Sequence, residues 1–471
     1  MKLWMAWYEA IAPLRAACNR KKTFVWLVVI LAMLCIRSEL AGVTSLIRTG
    51  WIHSSCYPLL LHFFHSTAVN MNKLTMHWVV LAMRTLFVPV KIAGFRILVA
   101  DGIKIPKEGK KMPAVKSLHN ESENNSKPEY IMGHSFQAVS LLADCGSEKV
   151  IAVPLMSRIS EGVIFTNCDK RTLLDKLVTM CTEILSWIPQ HEPALLVADA
   201  YYASHKIMVP LTTEGMHVIT RARKNAVAYR AAPKLEKRAR GRPRLYGEKV
   251  QLRMLFKDLS TFSTIQSPVY GEKDVELRYL CVDLIWRPIQ RAVRFILVDH
   301  PGRGQMILMS TNIELEPQDI IKVYGLRFKI EVSFKQAVHT IGAYAYHFWM
   351  KAMKPTHRGS GNQYMHRESK DYRDAIIRKI DAYHKFVQIG CIAQGLLQYL
   401  AINFKSLVWQ EFRSWLRTMK PEYAPSEMVV AMALRSSLPQ FLHGAPDDHS
   451  LKKFIVEKAD PERLPGILLA A

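Results

Sequence analysis

The 471 residues predict a mixed α/β fold, a mixed sheet flanked by helices, with a β-rich insertion and helical N- and C-terminal regions. Three observations carry this. FRILVAD at 95–101 and ALLVAD at 194–199 are apolar, β-branched runs without polar alternation, which is the pattern of strands buried on both faces. The residues between them alternate strand-like with helix-like stretches. Helical periodicity then disappears from about 222 to 304 and returns from Pro317.

Residues 1–93 hold apolar stretches of helical length broken by Gly42, Gly50 and Pro58, and predict a helical N-terminal region. The run FVWLVVILAMLCI at 24–36 is bracketed by Arg20, Lys21 and Lys22 before it and Arg37 after it. A spanning helix needs about 20 apolar residues. The run is therefore expected as a buried helix of a bundle, and the long charged and aromatic segment before it does not suit a signal peptide.

From 94 the pattern changes to strands in hairpin order: FRILVADGIKI, a loop at 106–129, YIMGHSFQAVSLLAD and KVIAVPLM. RTLLDKLVTMCTEILSW, at about 170–187, places Leu173, Leu174, Leu177, Met180 and Ile184 on one helical face. The second LVAD strand, a short helix over 203–214 and the strand MHVITRA follow. Three antiparallel strands, a helix, a parallel strand, a helix and a further strand make the order of a ribonuclease-H-like fold. On this basis the core occupies 94–221 and 305–350, the β-rich insertion 222–304, and a helical C-terminal region 351–471.

Lys and Arg number 64 against 40 Asp and Glu, a net charge of +24, in a chain that is 49% hydrophobic. A folded protein with that excess meets a polyanion, most commonly nucleic acid. An anionic membrane surface is the rival partner, on the strength of 24–36 alone. None of the eight cysteines lies at the two-residue spacing of a zinc or redox motif, so they are expected as reduced thiols of a cytosolic protein. HExxH, P-loop and GxGxxG motifs are missing from the sequence, which leaves the usual zinc and nucleotide chemistries without support.

Both LVAD runs end on an aspartate, Asp101 and Asp199. The carboxyl end of a central strand opens into the crevice where ligands bind. Asp144, Asp283 and Asp299 also follow apolar runs, and each such Asp alone is better explained as a turn or cap residue. A third acid stands in STNIELEPQDIIKVYGLRFKIEVSFKQAVHTIG at 310–342, where Tyr, two residues, Arg, three residues and Glu give Tyr324, Arg327 and Glu331. With a helix over 317–341, Tyr324, Arg327, Glu331 and Lys335 share one face. The alternation of Leu326, Phe328, Ile330, Val332 and Phe334 and the presence of Gly325 work against that helix.

This arrangement resembles the DDE transposases of bacterial insertion sequences, in the group with a β-rich insertion before the final Glu. The resemblance extends over about 30–350 and includes the Gly133–His134 hairpin and the RGRPRLYG element. It implies metal-dependent cleavage at transposon ends and transfer of the 3′-hydroxyls into target DNA. It further implies two Mg²⁺ (or Mn²⁺) ions, with Asp101 bridging both and Asp199 and Glu331 each holding one. A homodimer in a synaptic complex on double-stranded DNA, in the bacterial cytoplasm at the nucleoid, belongs to the same expectation. The family's Lys seven residues after the Glu falls on Val338 here, and Lys335, one turn from Glu331, is the substitute expected. The alternative is a catalytically inactive DNA-binding protein derived from a transposase.

Arg327 is a phosphate clamp by guanidinium geometry, with Tyr324 a contact to the same backbone or a core residue. Lys104, Lys107, Lys110 and Lys111, directly after the first Asp, are expected as DNA-backbone contacts. From Arg221 to Arg244 ten Lys/Arg face one Glu, and the GRPR core places Arg240, Arg242 and Arg244 as minor-groove or backbone contacts, against the plain alternative of a solvated loop. His134, on the strand beside Asp101, is either a neighbour of the site or, the commoner case, a packed hairpin histidine. Trp187 and Trp286 are core residues or holders of a flipped base.

Overall fold

A computed structural model of the chain describes residues 1–120, 128–146, 149–189, 192–233, 244–269, 271–414 and 419–463. The protein is mixed α/β, with a large mixed sheet flanked by helices. It divides into two compact units assembled from separated segments. The first comprises Met1–Val88, Gly102–Leu173 and Glu331–Ala471, the second Pro89–Asp101 and Leu174–Ile330. Along the chain, strands Phe95–Pro106, Tyr130–Asp144 and Val150–Ile159, helix Leu173–Ser186, strand Ala194–Val197, helix His205–Thr213 and strand His217–Arg221 follow in the ribonuclease-H-like order.

In the first unit the apolar run forms part of helix Lys21–Ile36, whose residues Leu27 to Ile36 are all at most 1% exposed. A helix apolar all round has no solvent face to offer, and burial inside a bundle is its stable solution. Trp4 of the first helix donates its indole N–H to the carbonyl of Leu434 (3.0 Å) and stacks on Phe441. The long helix Lys370–Asn403 meets the length and apolarity of a membrane span, yet 83% of that window is buried inside the protein. Its buried glutamines dock it on strand Val150–Ile159. Gln388 Nε2 donates to the Leu155 carbonyl (2.9 Å) and Gln398 Nε2 to that of Ala152 (3.2 Å). That strand pairs antiparallel with Tyr130–Asp144, with an irregularity where Ser140 faces Pro154. Proline offers no N–H to a ladder, and a bulge there is the expected consequence.

In the second unit Phe95–Asp101 lies parallel to Ala194–Val197, which lies parallel to His217–Arg221. Ile97 to Ala100 and Leu196 to Ala198 are completely buried, as the unalternating sequence requires. The β-rich insertion is continuous with this sheet. Gly304–Ser310 pairs antiparallel with His217–Arg221, and Arg291–His300 and Glu276–Trp286 follow outward in hairpin register.

Two local expectations are corrected. The first aspartate strand does not end on Asp101 but runs on to Pro106. Asp101 instead lies just beyond the stretch paired with the parallel neighbour, whose last partner is Val99. Nor is 317–341 one continuous helix. Pro317–Leu326 and Lys329–Gln336 are separate, joined by a turn at Arg327 and Phe328, and 337–341 widens into a π-type turn. At the break, hydrogen bonds shorten to three-residue spacing, Arg327 N–H to Tyr324 and Ile330 N–H to Arg327. The backbone at Gly325 presses so closely on Val269 that a Cβ there would come within 2.5 Å of its side chain. That contact explains a glycine at a position where helix propensity disfavours it.

Candidate active site

Parallel strands in register bring their ends together, and here Val99 is the partner of Val197. Asp101 and Asp199 each lie two residues beyond that last registered pair, on neighbouring chains of the same sheet. Asp101 is largely buried and is held by Arg327, whose Nη1 donates to Oδ2 at 3.1 Å. Asp199 caps the short turn Ala200–Tyr202 by accepting the Tyr201 N–H at 2.9 Å. The capping role considered for any lone Asp is real here and coexists with the strand-end position. The fully buried Thr220 donates its hydroxyl to the Asp199 carbonyl, which ties the second strand end to the third.

Tyr324 belongs to the same cluster. Burial raises its phenol above the ordinary tyrosine value, the charges of Arg327 and Arg221 oppose that rise, and the Asp199 carboxylate adds to it. Arg221 ends the third parallel strand as Asp199 follows the second, yet the sequence offered it only as one cation among ten. The available signal was its place directly after the buried run VIT. The second unit thus gathers Asp101, Asp199, Tyr324, Arg327 and Arg221.

Glu331 begins the returning segment of the first unit, exposed in the first turn of helix Lys329–Gln336, with Lys335 exposed in its last turn. An acid at the first turn and a base at the last both suit the helix dipole. Among the described residues, no group of three or more His, Cys, Asp or Glu side chains is gathered that could hold a metal ion. The paired carboxylates Asp101 and Asp199 nevertheless match the hard oxygen donors that Mg²⁺ prefers, and Mg²⁺ keeps several waters, so few protein ligands are needed.

The remaining candidates separate clearly. Lys107 is corrected: it is 6% exposed, with Nζ donating to the carbonyls of Tyr344 (2.6 Å) and Tyr346 (3.1 Å), and cannot reach DNA. Burial lowers it to about 7. Lys104 is half-buried and donates to the His119 carbonyl at 2.7 Å. His134 is fully buried between the Tyr346 hydroxyl and the Pro113 carbonyl, and burial drives its pKa down to about 3, which makes it a neutral packing residue. Asp283 forms a two-pronged pair with Arg294, and Asp144 accepts the Gly146 N–H in a turn. Trp286 lines a cleft of about 460 Å³ beside Tyr201, His205 and Arg223, whereas Trp187 is half-buried after its helix. Arg244 is exposed, while Arg240 and Arg242 lie outside the described residues.

Residues 145–339 match the family described as Transposase DDE domain, a span that includes Asp199, Tyr324, Arg327 and Glu331 and begins after Asp101. Among solved structures, a piggyBac transposase synaptic complex with hairpin DNA is 12% identical at a TM-score of 0.38, covering 95% of this chain and 77% of that one. No curated protein matches the sequence.

Proposed function

We propose that this chain, which carries a transposase DDE domain over 145–339, is a DNA transposase that cuts at transposon ends and joins the freed 3′-hydroxyls to target DNA. The observation that supports it most is that Asp101 and Asp199 each lie two residues beyond the last registered pair of two adjacent buried parallel strands, with Arg327 bound to the first. Asp101, Asp199 and Glu331 would hold two divalent ions, which supply activation of the attacking oxygen and neutralisation of the leaving one. Arg327 has a planar donor fork that fits a phosphate as well as a carboxylate, so a bound DNA backbone competes with Asp101 for it. Its transfer to phosphate frees the Asp101 carboxylate as the substrate arrives. Arg221 adds a second cation to the same cluster, and Tyr324 supplies a phenol whose proton burial retains. The net charge of +24 supports a DNA partner through phosphate contacts and counterion release.

The test is Mg²⁺-dependent cleavage of end DNA by the full chain and by Asp101→Asn, Asp199→Asn and Glu331→Gln, with DNA binding measured alongside. Each substitution is expected to remove cleavage and leave binding within about twofold, because affinity comes mainly from phosphate contacts. Activity in all three variants sinks the site assignment. Wild-type binding without cleavage assigns the chain to an inactive, DNA-binding derivative.

A further inference from the structure

Two buried glutamines of the long helix Lys370–Asn403, in the first unit, each have a side-chain oxygen to which no protein group donates. Gln394 is fully buried and Gln398 is 3% exposed, and they stand one turn apart on the same face. What their nitrogens do fixes which way the amides point. Gln394 Nε2 donates to the Ser333 carbonyl and hydroxyl (3.0 Å each), and Gln398 Nε2 to the Ala152 carbonyl (3.2 Å) and to Glu427 Oε1 (3.0 Å). A backbone carbonyl only accepts, so each amide has to aim its nitrogen there and its oxygen the other way. A buried acceptor left unmet is costly, and two on neighbouring turns call for a shared partner.

One acid stands beside them. Glu427 lies in the first turn of helix Glu427–Gly444, and burial raises its carboxyl above the ordinary range against hydrogen bonds from its own backbone, Gln398 and Gln394. Among the described residues no cationic side chain acts on that carboxyl. Its neighbour Ser426 occupies the N-cap position, yet the Ser426 hydroxyl caps no helix N–H and is itself buried without a partner. Three unmet oxygens thus accompany one carboxylate.

We propose that Glu427, Gln394, Gln398 and Ser426 hold one alkali-metal cation, K⁺ or Na⁺. Carboxylate, amide and hydroxyl oxygens are the ligands that hard cations take. A single carboxylate balances a single positive charge, so a monovalent ion leaves the site neutral, whereas a divalent ion leaves a net charge out of water. A water molecule in the same place donates to the amide oxygens but neutralises nothing. The partial positive charge at the helix N-terminus opposes a cation, and the full charge of Glu427 outweighs it. Glu427 is half-buried, which gives the ion a way in. Through Gln394 and Ser333 the site also steadies the segment that carries Glu331. The inference rests on neither the DNA partner nor the catalytic reading.

The experiment melts the full chain, without DNA, in KCl, NaCl and tetramethylammonium chloride at equal ionic strength, with hydrogen exchange measured in each. Tetramethylammonium has the same charge but cannot be ligated by oxygens. In at least one alkali chloride the wild type should melt about 2 °C higher, and exchange at 394–398 and 427–430 should slow about tenfold, the factor for an ion at roughly ten times its dissociation constant. Glu427→Gln keeps the shape and removes the charge, and should erase both differences. Equal melting and exchange of the wild type in all three salts overturns the proposal and leaves a buried water or a neutral Glu427. An alkali effect of full size in Glu427→Gln marks a general salt effect and overturns it as well. Should that variant not fold, the wild-type exchange decides, since slowing confined to these segments supports the site and uniform slowing overturns it. Protection of these segments by MgCl₂ in place of the alkali salts overturns the monovalent assignment. None of these outcomes bears on the transposase proposal, which its own cleavage assay tests.

Discussion

Arg37 ends the apolar helix of the first unit and is only 2% exposed, and replacing it tests what holds the segment following Glu331. Its Nε and Nη2 donate to the Ile341 carbonyl (3.1 and 2.7 Å), Nη2 also to Gly342 (2.8 Å), and Nη1 to the Gly42 carbonyl and the Ser45 hydroxyl (3.2 and 2.9 Å). A guanidinium has five N–H donors, and these five contacts use all of them. In Arg37→Ala the Gly42 carbonyl keeps the Ser45 hydroxyl and the Gly342 carbonyl keeps the Ala345 N–H, but Ile341 loses both its guanidinium donors. Stranding a buried acceptor costs about 1–3 kcal/mol and losing hydrogen bonds to a charged donor about as much again. Against this stands the relief of no longer burying a charge, a strain visible in burial pulling the Arg37 pKa down to about 10. The net expectation is a loss of about 3–5 kcal/mol, the scale seen when one side of a buried polar network is removed. Arg37→Lys keeps the charge but cannot span three carbonyls, and should recover less than half. Urea unfolding of the full chain followed by far-ultraviolet circular dichroism measures the loss, and hydrogen exchange at 341–345 shows where it falls. An Arg37→Ala protein within about 1 kcal/mol of wild type, with exchange at 341–345 unchanged, would refute the reasoning.

Replacing Arg240, Arg242 and Arg244 together by Ala should lower the magnitude of the salt slope of DNA binding by up to about 2.7 if all three meet phosphates, with the melting temperature unchanged. An unaltered slope and affinity would reduce the GRPR stretch to a solvated loop. Folded Lys107 titrates near 7 against 10.5 in an unfolded chain, so between those values the unfolded state binds the extra proton. Stability should therefore rise with pH across that window by up to about 1.4 kcal/mol per unit and be lost as pH falls through 7. Lys107→Met should flatten the profile, and a wild-type stability that falls over pH 7–10 would contradict the burial argument. Asp283→Asn loosens only its partly exposed pair with Arg294, so it should cost less than about 1 kcal/mol and leave DNA cleavage intact.

The sequence alone determined those features in which one physical demand dominates. An unalternating β-branched run has to be buried on both faces, and 96–100 and 194–198 are. A helix apolar all round has to enter a bundle, as Lys21–Ile36 does. The aspartates that close the two apolar runs marked Asp101 and Asp199 as candidates, although the first strand continues past its aspartate to Pro106. Tertiary structure decided what depends on partners distant in the chain. Whether a lysine after the first Asp reaches solvent turned on the carbonyls of Tyr344 and Tyr346, more than two hundred residues away, which claim Lys107 while Lys110 stays exposed. The break at Arg327 and Phe328 accompanies the close approach of Gly325 to Val269, and alternating hydrophobicity could not choose between helix and strand there. Arg221 joined the site only through the neighbours that strand pairing gave it. Local sequence carries propensity and burial, but a charge acquires its role from the groups that folding sets against it, and that arrangement exists only in three dimensions.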